Sequence, residues 1–207
     1  MLEVLTQPTA FFKALQERKP NLTAPFLISI LAVALGSVAG ILSTRLLPSL
    51  LPFPLPLQIA LALVSSVVIG ILVWGVGGAV VRVFAGPESR AWEVYGWAAL
   101  PGAVLALVLI PMAAFFPITG DLPPIPQVAQ GDPSAQERLL AWQRQFQEVI
   151  RASSYIRAQQ VLTLLVTAWT LWVLYSGLRV LAPERALTAT VAVTLLSLAL
   201  TFFSLFR

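Results

Sequence analysis

Five apolar spans, each about 20 residues or longer and free of Asp, Glu, Lys and Arg, fill most of this 207-residue chain. A helix rises about 1.5 Å per residue, so roughly 20 apolar residues cross a hydrocarbon core of about 30 Å. The spans are Pro25–Thr44, Leu57–Val81, Val94–Thr119, Ala158–Leu178 and Ala186–Phe206. The sequence therefore predicts an all-α, polytopic membrane protein built as a bundle of five transmembrane helices.

The composition excludes several classes of protein. Hydrophobic residues make up 58% of the chain and charged residues 11%, whereas soluble domains carry about 25% charged residues. The 13 basic residues are scattered among the loops. They form no basic stripe with interleaved aromatic residues, so nucleic acid is not expected as a partner. We expect one membrane domain over residues 1–207, with an N-terminal segment at 1–24 and a polar insertion at 119–157.

The residue types that most enzymes and metal sites use do not occur in this sequence. The chain has no cysteine and no histidine, which excludes disulfides, thiolate chemistry, haem ligation and the usual zinc or copper sites. Without histidine no Ser-His-Asp relay is possible, and the carboxylates lack metal-ligand spacing. The sequence therefore predicts a protein with no cofactor and no enzymatic activity.

Two segments outside the spans have the spacing of amphipathic helices. In the first, Pro8 fits a first helical turn, and Phe11, Phe12 and Leu15 form one apolar face. We expect this helix to lie at the membrane surface with its apolar side down. The second lies in the 119–157 insertion, where residues recur at helical spacing: Leu139, Trp142, Phe146, Val149, Ile150 and Ser153. Two placements stay open for it, on the bundle or on the bilayer.

Small residues in the first two spans are spaced for close helix packing. They are the GxxxG pair Gly36 and Gly40 in the first span, and Gly70, Gly75 and Ala79 in the second. Residues four apart share one face of a helix, so such positions let two backbones approach closely. We expect these glycines to lie at helix contacts.

Prolines predict where the helices end or bend. Four prolines in Leu47–Pro56 preclude a regular helix there, so this segment is expected to be an extended turn. In the third span a kink is expected near Pro101 or Pro111. Pro183 fits the start of the fifth helix, after a link so short that the last two spans must form an antiparallel hairpin.

Ionisable groups lie at the span ends, where long side chains reach the headgroups. Arg82 is followed by Glu88 and Glu93 in the adjoining turn, and we expect these groups to form a structural polar clamp rather than a substrate site. The fourth span carries polar residues at helical spacing, among them Gln160, Thr163 and Thr167. Two interpretations stay open for them: a polar path, or hydrogen bonds to a neighbouring helix and to the backbone.

Basic residues in the short connecting segments indicate the orientation. With the N-terminus inside, the short inner segments hold seven basic residues and the short outer ones two, and short segments report orientation better than long ones. Eleven of the 13 basic residues are arginine, as in many GC-rich or thermophilic prokaryotes. We expect an integral protein of the prokaryotic cytoplasmic membrane, with its N-terminus inside and its C-terminus outside.

The stretch from Phe84 to Pro101 carries an informative order of features. Gly86 ends the second span, a short polar turn follows, and Tyr95-Gly96-Trp97 leads into the third span ahead of Pro101. This order resembles the Yip1 family of small membrane proteins, whose third span has a Tyr-Gly-Tyr-like element and a proline; here Trp97 replaces the second aromatic residue. The chain is also similar to bacterial members at Pro8, Phe11 and Phe12 near its start, and at Gly177, Arg179 and Arg185 in the last hairpin.

The resemblance implies a five-span fold and a role in organising membranes, without a defined activity. Eukaryotic members have a longer cytosolic N-terminal region with an Asp-Leu-Tyr-Gly-Pro element and are linked to Rab GTPases. This chain offers about 24 residues there and lacks the element, so a Rab-type partner is not expected. The hypothesis is a non-enzymatic protein that shapes membranes or scaffolds partners: the lipid bilayer, further copies of itself or other membrane proteins. The alternative is a small channel, transporter or lipid translocase that works as an oligomer.

Overall fold

The computed structural model describes residues 2–48, 53–120, 125–126 and 135–205, and over these residues the chain is helical with short connections. The helices are α1 (Leu2–Thr6), α2 (Pro8–Gln16), α3 (Thr23–Thr44), α4 (Leu55–Ala85), α5 (Ala91–Ala98), α6 (Leu100–Phe115), α7 (Ala135–Ala152), α8 (Ser154–Leu181) and α9 (Ala186–Leu205). Two 3₁₀ turns, Pro87–Ser89 and Pro183–Arg185, precede α5 and α9.

Four of the helical segments are long and apolar enough to cross a membrane. They are α3, α4, the α5–α6 pair and α8, with 22, 31, 25 and 28 residues. The fifth predicted span coincides with α9, and its crossing stays a prediction. Phe206, the predicted end of that span, lies outside the described residues.

An asparagine and the prolines mark the starts of α3 and α4. The side-chain oxygen of Asn21 accepts a hydrogen bond from the Thr23 N–H at 2.9 Å, which satisfies a donor at the start of α3. The predicted turn at Leu47–Pro56 is wrong at its far end, because α4 begins at Leu55. Proline is tolerated there, since the N–H groups of a first turn have no partner inside the helix. Residues 49–52 of that turn lie outside the described residues.

The third span is divided in two. α5 ends at Ala98 and α6 begins at Leu100, so the break lies beside Pro101, one of the two places predicted. Proline has no N–H to donate to the carbonyl of Trp97 one turn earlier, which weakens the helix there. At Pro111, the other predicted place, α6 continues without a break.

The main hydrophobic core lies at one end of the bundle. We call this the N-terminal end, because α1 and α2 contribute Val4, Phe12 and Leu15 to this core. Its buried residues come from several helices and include Phe12, Val81, Val94, Leu174, Leu178 and Val193. A smaller cluster of Leu47, Ala113, Ile118 and Tyr155 lies at the opposite end, the α7 end. Between the two ends α3 packs against α4 and α6, and α9 packs against α4 and α8.

The N-terminal helices lie along α8, and the prediction that the apolar side of α2 faces the lipid is wrong. Phe12 and Leu15 are buried in the main core, so protein and not lipid covers the apolar side of α2. The indole N–H of Trp169 donates to the Leu5 carbonyl at 3.0 Å. Trp169 precedes the end of α8 by twelve residues, or about 18 Å along the helix axis. The α1–α2 segment therefore packs lengthwise along the second half of α8 and does not lie across that helix.

The second amphipathic segment forms α7, and its apolar side faces the end of the bundle. Trp142 is 3% exposed, and Phe146, Val149 and Ile150 pack against the cluster at the α7 end. Residues 121–124 and 127–134 of the 119–157 insertion lie outside the described residues. Of the two placements that the sequence left open, the contacts of these side chains favour the bundle.

Candidate functional site

A buried ion pair lies at the N-terminal end, where the connection between α4 and α5 enters the first turn of α5. The Arg90 Nε donates to Oε2 of Glu93 at 2.6 Å, and the two side chains are 13% and 1% exposed. Arg90 has a φ of +48°, in the left-handed region, and this conformation directs the chain from the 3₁₀ turn into α5. A charge so far from water is stable only when it is paired and hydrogen-bonded.

The ion pair fastens the segment that links α2 to α3. Arg90 Nη1 donates to the carbonyl oxygens of Leu15 at 2.6 Å and Arg18 at 3.1 Å. On the other side of the pair, Oε1 of Glu93 accepts the Asn21 N–H at 3.2 Å. We call this group the Arg90–Glu93 clamp. It joins three backbone groups near the chain start to α5, more than 70 residues away in sequence.

Of the predicted clamp residues Arg82, Glu88 and Glu93, only Glu93 forms an ion pair among the described residues, and its partner is Arg90. Arg82 does not pair with Glu93; its guanidinium lies 5.5 Å from the centroid of the Trp92 ring, a cation–π arrangement. Glu88 is exposed in the 3₁₀ turn. The signal that sequence reasoning missed is the spacing of Arg90 and Glu93, three residues apart at the start of a helix, where two side chains share a face.

Several residues of the family-like motifs meet close to the clamp. Gly77 and Gly78 of α4 accommodate the rings of Tyr95 and Trp92. A Cβ atom at Gly96 would lie 2.5 Å from Cβ of Pro25. These contacts bring α3, α4 and α5 to a separation that only glycine permits.

The last hairpin joins the same cluster through Gly177. A Cβ atom there would lie 2.8 Å from Val94 and 2.9 Å from the Phe12 ring. Phe11 packs edge-on against Trp97, with 5.0 Å between ring centroids, and Pro8 is buried in the first turn of α2. Motif residues from the start, middle and end of the chain therefore lie in one packed region.

The two motif arginines are exposed at the N-terminal end, and Gly86 is buried next to Arg185. Gly86 ends α4 with a φ of +89°, and a Cβ atom there would approach Nη1 of Arg185 at 3.3 Å. Arg179 lines a groove of about 470 Å³ between α2 and the end of α8, together with Thr9, Lys13, Gln16 and Val180. This groove presents two cations beside the polar side of α2.

Within the described chain, one of the predicted packing positions, Gly70, lies at a close contact between helices, and for the others the prediction stays open. A Cβ atom at Gly70 would lie 2.9 Å from Cα of Ile30, so α3 and α4 are in close contact there. Around Gly36, Gly40 and Gly75 nothing lies within 4 Å of such an atom, and Ala79 is exposed. Spacing alone does not reveal which face of a helix turns toward its neighbour.

The polar residues of α8 lie on an exposed surface. Gln160, Thr163 and Thr167 are all exposed in the first half of α8, whereas Val173, Leu174 and Leu178 in its second half are buried. Gln160 also lines a second cavity, of about 1030 Å³, at the α7 end. The bundle is thus closely packed at its N-terminal end and more open toward α7.

A comparison with protein families matches residues 2–206 to the Yip1 domain. The chain belongs to the Yip1 family. This Yip1-domain protein is also 30% identical over 125 residues to an uncharacterized protein of Methanocaldococcus jannaschii, a match that covers 56% of the chain and 89% of that relative. No solved structure matches the chain. The family resemblance expected from the Tyr95-Gly96…Pro101 element is confirmed, and the match extends over nearly the whole chain.

Proposed function

We propose that this Yip1-domain protein is a non-enzymatic scaffold of the prokaryotic cytoplasmic membrane, which holds other membrane proteins at its N-terminal end. The observation that carries the proposal is the Arg90–Glu93 clamp. Among the described residues, the side-chain hydrogen bonds of the clamp outside the pair all end on backbone of the 15–21 segment. The charges of the clamp therefore hold the 15–21 segment, and with it α2, in a defined position.

A fixed α2 displays a polar surface of defined shape. Its apolar side is buried, and its other side carries Thr9, Lys13 and Gln16 around the groove shared with Arg179. A preorganised surface loses little conformational freedom on binding, so more of the contact energy becomes affinity. The burial of Phe12 and Leu15 also argues against membrane shaping by α2, because a wedge helix needs a free apolar face.

Photo-crosslinking in cells tests the scaffold proposal. A photoreactive residue replaces Gln16 in the groove, and a second variant carries it at Leu72 on α4, which is 60% exposed on an apolar surface. We expect defined protein adducts from position 16 and mainly lipid adducts from position 72. Lipid adducts alone at both positions, in the organism that encodes the protein, would overturn the proposal.

The orientation belongs to the same proposal, with the N-terminus inside, five spans and the C-terminus outside. The chain has no cysteine, so single introduced cysteines report sidedness without background. We expect Glu17→Cys and Arg207→Cys to react with an impermeant maleimide from opposite sides of inverted and right-side-out vesicles. Labelling from the same side would show an even number of spans and exclude α9 as a crossing helix.

A second candidate, passage of lipid or neutral solute, is favoured by the exposed polar residues of α8. Gln160, Thr163 and Thr167 follow one another along the more open half of the bundle, where headgroups or solutes find hydrogen-bonding partners. Lipid scrambling or solute flux in proteoliposomes that is lost in Thr163→Val/Thr167→Val supports this candidate. Flux equal to that of empty liposomes rejects it.

A further inference from the structure

The cavity at the α7 end has the composition of an amphiphile site. It measures about 1030 Å³ and lies between α7 and the ends of α3, α4 and α8, at the upper limit of ligand pockets, which hold about 300–1,000 Å³. The neighbouring helix ends place it where span ends meet the headgroup region. It is separate from the clamp and from the groove beside α2.

One part of the wall is positively charged. Arg45, Arg144 and Arg151 line the cavity, and Glu148 is the one carboxylate among its described lining residues. Arg45 is held in place by its own hydrogen bonds: Nη2 donates to the carbonyl of Ala114 at 2.7 Å, and Nη1 to that of Ala113 at 3.1 Å. These acceptors are uncharged carbonyls, and no carboxylate among the described residues pairs with Arg45.

The rest of the wall is apolar or uncharged. Its apolar members are Ile41, Leu47, Leu55, Phe146, Ile150 and Ile156. Gln58 and Gln160 supply hydrogen-bonding groups between the apolar and cationic parts. Such a wall matches a ligand with an anionic head and a hydrocarbon tail, because guanidinium groups bind phosphate strongly and aliphatic side chains accept acyl chains.

We propose that this cavity binds an anionic phospholipid of the adjoining leaflet. The phosphate contacts Arg144 and Arg151 on α7 and Arg45 at the end of α3. The parts of the acyl chains nearest the headgroup lie against the aliphatic wall. Bound lipid joins α7 to the bundle, because one anionic headgroup attracts both the arginines of α7 and Arg45 of α3. The proposal stands apart from the scaffold function, which concerns the other end of the molecule.

Lipid binding to the purified full chain tests the proposal by native mass spectrometry in detergent. The probes are phosphatidylglycerol, phosphatidylcholine with the same acyl chains, and inorganic phosphate. We expect the wild type to bind phosphatidylglycerol at least about tenfold more tightly than phosphatidylcholine, since three guanidiniums face one carboxylate. Equal affinity for the two lipids would overturn the proposal.

A charge-matched pair of variants locates the site. Arg144→Gln/Arg151→Gln removes two exposed cations from the cavity wall, whereas Arg138→Gln/Arg157→Gln removes two arginines that do not line it. We expect the first variant to lose about tenfold or more in affinity for phosphatidylglycerol and the second to change by less than about twofold. Equal losses in both would show attraction to general surface charge and overturn the site.

Inorganic phosphate separates a lipid from a soluble anion. If the cavity binds lipid, phosphate at millimolar concentration competes weakly with phosphatidylglycerol, because it cannot use the aliphatic wall. If phosphate alone binds as tightly as phosphatidylglycerol, the occupant is a soluble anion and the lipid proposal fails. The thermal unfolding midpoint of each variant, equal to that of the wild type in lipid-free detergent, shows that any loss concerns binding and not folding.

Discussion

Removal of the Glu93 carboxylate measures what the clamp contributes to the fold. Glu93 is 1% exposed and its partner Arg90 is 13% exposed. Glu93→Ala therefore leaves a nearly buried guanidinium without its counter-charge and the Asn21 N–H without its acceptor. Breaking a buried ion pair by removing one partner costs about 3–5 kcal/mol of the free energy of unfolding. For a chain of this size that lowers the thermal unfolding midpoint by about 6–20 °C.

Two readouts on the purified protein separate local release from global unfolding. Tryptophan fluorescence follows unfolding of the bundle, because Trp97 is buried in the main core. A Val4→Cys background reports release of the N-terminal helices, since Val4 is fully buried and the chain has no other cysteine. We expect maleimide to label this cysteine more than about tenfold faster in Glu93→Ala, because the clamp no longer opposes local opening.

The control changes a carboxylate in the same connection that the structure leaves exposed. Glu88→Ala should alter the free energy of unfolding by less than about 0.5 kcal/mol. Replacing both clamp partners, as Arg90→Met/Glu93→Met, should recover part of the loss, because no buried charge then stays unpaired. If Glu93→Ala costs less than about 1 kcal/mol and leaves the labelling of Val4→Cys unchanged, the clamp does not fix the N-terminal helices and our reasoning is refuted.

Two further predictions concern other contacts of the bundle. Gly96→Ala should lower the free energy of unfolding by about 1–3 kcal/mol, because the new Cβ meets Pro25. Gly36→Ala places its Cβ in open space and should be neutral or stabilising by up to about 1 kcal/mol. Equal effects of the two substitutions in denaturant titrations would contradict the assigned contacts. Trp169→Phe removes the donor to the Leu5 carbonyl and should cost about 0.5–1.5 kcal/mol, with faster labelling of a cysteine near the chain start; unchanged labelling would show that this hydrogen bond does not hold α1.

The helices themselves were predictable because lipid imposes a simple condition. A backbone in hydrocarbon must satisfy its own hydrogen bonds, so a long apolar run has to be helical. The exact ends of the helices were harder to predict from the sequence. For example, the predicted fourth span begins at Ala158, whereas α8 begins earlier, at Ser154. The predicted span starts just after the charged residue Arg157, because charge was used to mark its limit. The helix itself also includes Tyr155 and Arg157, whose long side chains reach water in the headgroup region.

The contacts between helices were harder to predict because they depend on rotation. The period of a helix shows which residues share a face, but not which neighbour that face meets. On α4 the pair Gly75 and Ala79 has the spacing of a packing motif, yet the aromatic rings of α5 lie against Gly77 and Gly78. The same limit applies to the clamp, since the carbonyls that Arg90 binds carry no sequence signal of their own.

The two ends of the molecule should respond independently, and this gives the sharpest test of the assignments. The clamp fixes α2 through buried charge, whereas the cavity at the α7 end depends on exposed arginines and its aliphatic wall. Sites this far apart with no shared partners usually contribute additively. Glu93→Ala should therefore abolish protein crosslinks from position 16 and keep the preference for phosphatidylglycerol. Arg144→Gln/Arg151→Gln should keep the crosslinks and lose the preference for phosphatidylglycerol. Loss of both properties in either variant would mean that the ends are coupled through α8, a long helix that lies beside both α2 and α7.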